Sequence, residues 1–322
     1  MSPRRRPGSR LFKSLLPTVA LVVVGVAALA LWSVYTVAHP PTHAYLINPA
    51  DLVGISARGV KATEETWSNA DGTKSRGWLL RGAEGAPAVV LLHGYGADRS
   101  WLFNLGVQLN EATNFTVLCP DLRGHGQNPT VSTTTFGAGE AADVAGAISF
   151  LRGLRTQQRP LVGERVGLYG VGLGAYAALL AAARESVQGG ERGGVVALAL
   201  DSPPASAGAL LRDVMRQRVG VSNAVSLFLA RAAAHIYFLG KYENVNSCDA
   251  AATLRGRRVL LLSGTGEARD ATTELARCFP DQGAVELKTD LPVTGLDASS
   301  ATGEAGEAYD RIVIDYFQRT LR

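Results

Sequence analysis

The sequence contains few cysteines, and their arrangement excludes several kinds of site. There are three in 322 residues, and no Cys/His pattern has the spacing of zinc ligands. Cys119 lies inside the apolar run FTVLCP, where we expect a buried core residue. Cys248 and Cys278 could form a disulfide in an oxidising compartment, but sequence spacing does not show whether their Cα atoms lie close enough. The sequence predicts neither a metal site nor a cofactor.

Acidic residues are absent from the first 50 positions, which hold five basic ones, Arg4, Arg5, Arg6, Arg10 and Lys13. Residues 51–322 therefore contain 27 of the 32 basic residues and all 28 acidic residues. The net charge of +4 comes from the N-terminus. No basic face is left for phosphates. This distribution excludes a nucleic-acid partner.

Charged residues are missing altogether from residues 15–38. A helix of about 20 apolar residues is enough to cross a bilayer, and Trp32 and Tyr35 lie where interfacial aromatic residues are found. We predict a single transmembrane helix over 15–38, with the basic tail 1–14 in the cytoplasm and the C-terminal part outside it. The alternative is a signal peptide cleaved after Ala38, although this apolar run exceeds the ~7–15 residues usual for a signal-peptide core.

After a proline-bearing linker at 39–60, short apolar runs alternate with helical patterns through 61–322. The runs are APAVVLLHG, FTVLCPD, ERVGLYG, GVVALALDSP, RRVLLLSG and AVELKTD. Continuous apolar strands that alternate with helices predict an α/β fold, with a mostly parallel sheet covered by helices on both faces. A helical segment at about 203–247 interrupts the alternation, and we predict that it forms a cap over the carboxyl ends of the strands.

Four motifs in this region occur in a familiar order: LLHGYGADRS, CPDLRGHGQN, TTTFGAGEAADVAGAISFLR and GVGLG. With these motifs the sequence resembles the α/β-hydrolase superfamily over about residues 60–320. It is most similar to the membrane-anchored bacterial branch near the serine aminopeptidase and monoacylglycerol-lipase groups. The resemblance implies an α/β-hydrolase fold and a site with a nucleophile, an acid and a histidine, in that chain order. The imidazole activates the nucleophile, and the carboxylate orients the imidazole.

Two of the three catalytic side chains that the resemblance implies are missing. The nucleophile position in GVGLG is Gly172, and no G-x-S-x-G occurs elsewhere in the chain. Glycine adopts the strained backbone of such a turn without a Cβ clash, so the substitution relieves strain as it removes the nucleophile. The base position is Leu296, and the last 87 residues contain no histidine. The triad is therefore predicted to be degenerate.

The remaining parts of the site are less clearly marked. Glu267 stands where the family acid is found, with Asp270 one turn later, and both could equally be ordinary solvated carboxylates. The oxyanion-hole amides would be those of Leu173 and of Tyr95 in the HGYG loop. Backbone donors survive the loss of side chains, so a carbonyl or carboxylate could still bind there.

Three functions agree with these features. The leading hypothesis is a membrane-anchored pseudoenzyme that binds a small apolar ligand, a lipid or a protein partner. The second is an active serine-type hydrolase with an esterase-, lipase- or peptidase-like activity and a displaced nucleophile, such as Ser202 or Ser263. That site would need His93, His125 or His235 within hydrogen-bond reach of a serine. The third is a structural interaction module whose pocket has been filled.

Overall fold

A single sheet of eight strands organises most of the chain in the computed structural model, which describes residues 8–49, 58–187, 194–221, 223–297 and 303–322. The strands are β1 (Ala62–Ser68), β2 (Lys74–Leu80), β3 (Ala86–Leu92), β4 (Thr116–Pro120), β5 (Val162–Val171), β6 (Val195–Asp201), β7 (Arg258–Leu262) and β8 (Val285–Lys288). Across the sheet their order is β1-β2-β4-β3-β5-β6-β7-β8. β2 pairs antiparallel with β1 and β4, and all other pairings are parallel. The predicted mostly parallel sheet is confirmed.

The described helices are α1 (Gly8–Ala38), α2 (Phe103–Thr113), α3 (Ala138–Gly153), α4 (Leu173–Val187), α5 (Ala207–Arg218), α6 (Ala224–Tyr237), α7 (Ser247–Ala251), α8 (Glu267–Ala276) and α9 (Glu304–Leu321). On one face of the sheet α2 contacts α9, and on the other α3 contacts α4. The sequence dictates this packing in α9, where Tyr309, Val313, Phe317 and Leu321 recur every fourth residue and form a buried stripe. That stripe joins the core between the sheet and α2.

The chain divides into two compact units. The sheet and its covering helices belong to the unit formed by Ala38–Leu211 and Glu243–Arg322. The other unit contains α1 as far as Val37 and the segment Arg212–Tyr242, which includes α6. Within this smaller unit the rings of Tyr35 and Tyr237 meet edge to face, with centroids 6.4 Å apart.

The described part of the predicted linker packs on the unit that contains the sheet. The Tyr45 hydroxyl donates a hydrogen bond to the Asp121 carboxylate at 2.7 Å, and the Arg99 guanidinium lies 4.8 Å from the centre of the Tyr45 ring. Asp121 follows β4, and burial raises its pKa. Residues 38–49 are therefore held by a buried polar network. Residues 1–7 of the predicted tail and 50–57 of the predicted linker lie outside the described residues.

One described helix, α1, is long and apolar enough to cross a membrane over Leu15–Ala38. Its side chains from Leu15 to Trp32 are exposed or half-buried, whereas Ser33, Val34, Val37 and Ala38 are buried in the protein. The exposed stretch of 18 residues corresponds to roughly 27 Å at 1.5 Å per residue, close to the ~30 Å of a hydrocarbon core.

Candidate functional site

Gly172 occupies the turn between β5, which ends at Val171, and α4, which begins at Leu173. Its φ of +51° lies in the left-handed region that favours glycine. The flanking glycines are needed for a different reason, because strand and helix approach too closely for a side chain. A Cβ on Gly170 would lie 2.4 Å from the carbonyl carbon of Gly174, and a Cβ on Gly174 would lie 2.2 Å from the Leu92 carbonyl oxygen.

Space for a side chain does exist at Gly172 itself. The nearest atom to a Cβ built there is Cδ2 of Leu296, at 3.5 Å, which is an ordinary van der Waals distance. The close packing that fixes the turn therefore depends on Gly170 and Gly174. This turn between β5 and α4, called the elbow below, therefore has room at Gly172 but carries no side chain there.

The structure brings together three segments that lie far apart in the chain, around Gly94, Gly172 and Leu296. Besides lying over Gly172, Cδ2 of Leu296 is 3.7 Å from a Cβ built on Gly94, in the loop that also carries Tyr95. Leu296 is 51% exposed, and Gly172 is half-buried. The side chain above the turn is thus aliphatic and half-exposed, and it neither accepts nor donates a proton.

A buried carboxylate that the sequence analysis did not assign lies next to this loop. Asp201 is the last residue of β6 and is fully buried. Its Oδ2 accepts a hydrogen bond from the Gly295 backbone N–H at 2.5 Å and another from the Tyr309 hydroxyl. Burial raises the pKa of this carboxyl, whereas the hydrogen bonds from Tyr309, Gly295 and Ser202 oppose the rise. Asp201 thereby holds the residue that precedes Leu296.

Glu267, the carboxylate expected at the acid position, has a different environment. It is the first residue of α8 and is exposed, as is Asp270 one turn later. Asp270 instead accepts a hydrogen bond from the Arg269 guanidinium at 3.2 Å. In the loop before Leu296, the Gly295 N–H donates to Asp201 and the Thr294 hydroxyl donates to Asp297, so Glu267 is not the carboxylate that these two groups contact. In the sequence, GVVALALDSP shows Asp201 only as the residue where an apolar strand ends.

The two residues expected to supply oxyanion donors lie on either side of the elbow. Leu173 is the first residue of α4, and its N–H is one of the helix-terminal donors that have no partner inside the helix. Tyr95 is half-buried, and its ring packs edge to face on His125 with centroids 5.5 Å apart. The site therefore retains a helix N-terminal amide, which favours a partially negative oxygen.

Among the residues that the structure describes, neither of the two histidines in the family motifs forms a hydrogen bond to a serine. The Nδ1 atom of His93 pairs with the Gly94 carbonyl oxygen at 2.8 Å, and its Nε2 accepts the Leu122 N–H at 3.0 Å. Burial lowers the pKa of His93 to about 4 and that of His125 to about 3. Nδ1 of His125 pairs with the Arg123 carbonyl oxygen at 2.9 Å. Both rings serve as neutral structural groups.

The two serines considered as displaced nucleophiles differ in their exposure to solvent. Ser263 is fully buried, which closes its hydroxyl to a substrate. Ser202 is half-buried, has a φ of +49°, and donates from its Oγ to Asp201 Oδ1 at 2.7 Å. His235 is exposed in the other compact unit, where its ring packs on Tyr242.

The structure joins Cys248 and Cys278 by a disulfide, with their Cα atoms 5.1 Å apart. This separation, within the usual 4.4–6.8 Å for a bridge, could not be obtained from sequence spacing. Cys119 is free and buried, as expected. Within the described ranges, no group of three or more His, Cys, Asp or Glu side chains could hold a metal ion.

Comparisons with known proteins agree with the fold. Residues 89–320 match the model of the alpha/beta hydrolase family, while no curated protein matches the chain. An esterase of Pyrococcus furiosus is 18% identical with a TM-score of 0.64, covering 89% of this chain and 99% of that one. A bacterial heroin esterase is 18% identical with a TM-score of 0.62, covering 85% and 88% respectively. Brefeldin A esterase, a bacterial homologue of human hormone-sensitive lipase, is 18% identical with a TM-score of 0.62, covering 92% and 86%. At these identities the likeness concerns the fold alone.

Proposed function

Because the chain belongs to the α/β-hydrolase family, we propose that it is a membrane-anchored member of that family that binds its ligand without hydrolysing it. The observation that carries this proposal is the pairing of Gly172 with Leu296. Where a nucleophile and a base would face each other, a residue without a side chain lies beneath an aliphatic one, 3.5 Å from the position of a Cβ. A hydroxyl needs a base to become a nucleophile, and here neither group is present.

The chemistry that remains at the elbow suits an oxygen-bearing apolar ligand. The Leu173 amide at the start of α4 can donate to a carbonyl or carboxylate oxygen, and the helix dipole favours negative charge at that end. The exposed Leu296 provides an apolar contact beside it. A fatty acid or an ester that is retained intact combines both features.

The proposed anchor is α1. It offers the 24-residue, uncharged and mostly apolar stretch Leu15–Ala38, and positively charged residues precede it in the sequence. The positive-inside rule then places the sheet-containing unit outside the cytoplasm, and the Cys248–Cys278 disulfide suits an oxidising compartment. In cell fractionation we expect the protein in the membrane pellet after alkaline washing, with α1 still attached. Recovery in the soluble fraction with a mature N-terminus at His39 would contradict the anchor.

Covalent labelling tests the absence of a nucleophile. The full-length protein, incubated with a fluorophosphonate probe, should show no mass increase, whereas an active esterase of the same fold should be labelled stoichiometrically. The specific alternative is Ser202, because its strained backbone and its hydrogen bond to Asp201 are features that an active serine could share. Stoichiometric labelling that maps to Ser202 would replace this proposal with an active hydrolase.

Ligand binding is tested with a matched pair of charge substitutions. Octanoate should bind the wild-type protein, measured by isothermal titration calorimetry in detergent, and octanol should bind more weakly because it carries no charge. Leu296→Glu should abolish octanoate binding, since it introduces a carboxylate beside Gly172. Leu287→Glu, at a leucine that is 41% exposed in β8, is the control and should bind normally. Equal affinities of the two variants for octanoate would show that the ligand does not occupy the elbow.

A further inference from the structure

The segment Arg212–Tyr242 exposes an apolar surface on α6. Val225, Phe228 and Ile236 fall on one side of this helix together with Ala232, and Leu239 follows two residues after the helix ends. These four large side chains are 67–88% exposed. Alanines form the opposite side of α6 and are buried. A stripe of this width, apolar and facing outward, is unusual for a helix that faces only water.

The same segment concentrates positive charge. It contains one acidic residue, Asp213, against five basic residues. Those five are exposed: Arg212, Arg216, Arg218, Arg231 and Lys241. In the rest of residues 51–322 the balance is reversed, with 22 basic against 27 acidic residues. A basic and apolar surface on an otherwise acidic protein fits the surface of an anionic bilayer.

The position of α6 next to α1 connects this surface to the proposed span. Ser33 and Val34 are the first buried side chains of α1 after the exposed stretch Leu15–Trp32, while Tyr35 is 53% exposed, and we take the outer boundary of the hydrocarbon core to fall near this turn of the helix. Tyr35 lies one turn further and contacts the ring of Tyr237, the last residue of α6. Within this compact unit, the end of α6 therefore lies at the level where the span leaves the bilayer.

We propose that the apolar stripe of α6 (Val225, Phe228, Ile236 and Leu239), with its basic neighbours, lies in the outer interface of the bilayer that α1 spans. The apolar side chains enter the boundary between headgroups and acyl chains, and the basic side chains contact anionic headgroups. This inference rests on the proposed anchor. It adds a second, non-spanning contact with the same bilayer.

Spin labelling of the full-length protein in vesicles tests the proposal. Nitroxide labels are attached to the variants Phe228→Cys and Leu239→Cys, and each labelled protein is placed in vesicles of phosphatidylcholine with phosphatidylglycerol. The collision rates of each label with oxygen and with a water-soluble nickel chelate are then compared. Native cysteines do not interfere, since Cys119 is buried and the other two form a disulfide. Oxygen partitions into lipid and the chelate remains in water, so a lipid-inserted label has a high oxygen-to-nickel ratio.

Two control positions distinguish bilayer contact by the α6 stripe from insertion of α1. Val23→Cys, at a 60% exposed position inside α1, reports the span, and Val187→Cys, at a 75% exposed apolar position at the end of α4, reports water. We expect ratios at Phe228→Cys and Leu239→Cys that approach the ratio at Val23→Cys and exceed that at Val187→Cys. Ratios equal to that at Val187→Cys, with a lipid-like Val23→Cys, would overturn the proposal and leave the anchor standing. A water-like Val23→Cys would refute the anchor and the proposal together.

The contribution of the basic side chains to this bilayer contact is measured separately. In vesicles of phosphatidylcholine alone, the ratio at Phe228→Cys should fall, because the basic residues lose their anionic partners. The ratio at Val23→Cys should not change, since a spanning helix does not depend on headgroup charge. An unchanged ratio at Phe228→Cys would show that the basic residues do not contribute to the contact and would overturn the anionic part of the proposal.

Discussion

Introducing two side chains at the elbow should create esterase activity where neither change alone does. Gly172→Ser is sterically accommodated, since its Cβ would lie 3.5 Å from the nearest side-chain atom. It would place a non-glycine residue at φ +51°, at a cost on the order of 1 kcal/mol. Leu296→His exchanges a half-exposed leucine, which costs about 1 kcal/mol of apolar burial. The combined cost of about 2 kcal/mol is well below a typical folding free energy of about 5–15 kcal/mol.

The gain should be strongly non-additive because triad members act as a unit. A positioned general base contributes about 10²–10⁴-fold, so the double variant should turn over p-nitrophenyl acetate by that factor faster than Gly172→Ser alone. This ratio corresponds to about 3–5 kcal/mol of transition-state stabilisation. Thermal midpoints of the wild type, both single variants and the double variant monitor folding. Equal activity in Gly172→Ser and in the double variant would refute the assignment of Leu296 to the base position.

The double variant Gly172→Ser with Leu296→His can also be used to identify the carboxylate that orients the introduced imidazole. Adding Asp201→Asn to the double variant should lower activity by up to about 10⁴-fold, because the imidazole would lose the carboxylate that selects its tautomer. Adding Glu267→Gln should change nothing, since that side chain is exposed at the start of α8. The reverse outcome would assign the acid to Glu267 and reduce Asp201 to a residue that fixes the loop.

Three further predictions concern stability, measured by thermal or denaturant unfolding in detergent. His93 has a folded-state pKa of about 4, below its unfolded value of 6.5, so the unfolded state binds the proton first and the free energy of unfolding should fall by up to about 3 kcal/mol as pH decreases from 6.5 to 4. A profile in His93→Gln as steep as that of the wild type would contradict this assignment. Tyr45→Phe should lower stability by about 1–2 kcal/mol through the lost hydrogen bond to Asp121, and an unchanged midpoint would show that this bond contributes nothing. Cys248→Ala with Cys278→Ala should lower stability by about 3–4 kcal/mol, from the entropy of opening a 30-residue loop. The reduced wild type should match this double variant, and a difference between them would assign part of the loss to the substitutions.

The strands and helices around the elbow could be predicted because their signals are local. The apolar run that ends before Gly172, for example, is followed at once by a glycine-rich turn and a helical pattern. The order of the motifs then predicted the α/β-hydrolase fold. The proximity of Leu296 to Gly172 follows from that fold, although 124 positions separate the two residues in the chain.

The role of Asp201 could not be predicted because it depends on contacts that no local pattern contains. Its carboxylate meets Gly295 and Tyr309 only after β6 pairs with β5 and α9 packs back on the sheet. The sequence places Glu267, after a strand, at the position expected from the family, and leaves open whether it is an ordinary solvated carboxylate. For the same reason, the Cys248–Cys278 bridge remained open in the sequence and is decided by the 5.1 Å separation of the Cα atoms.

The exposed stripe of α6 has a consequence for handling the protein in solution. Deleting residues 1–38 would remove the spanning helix but leave Phe228, Ile236 and Leu239 facing the solvent, and it would also uncover Tyr237 by removing Tyr35. Contiguous exposed apolar patches promote self-association in water. The shortened chain should therefore remain dependent on detergent or lipid, and its colloidal behaviour should improve with polar residues at positions 228 and 239 rather than with further trimming of the N-terminus.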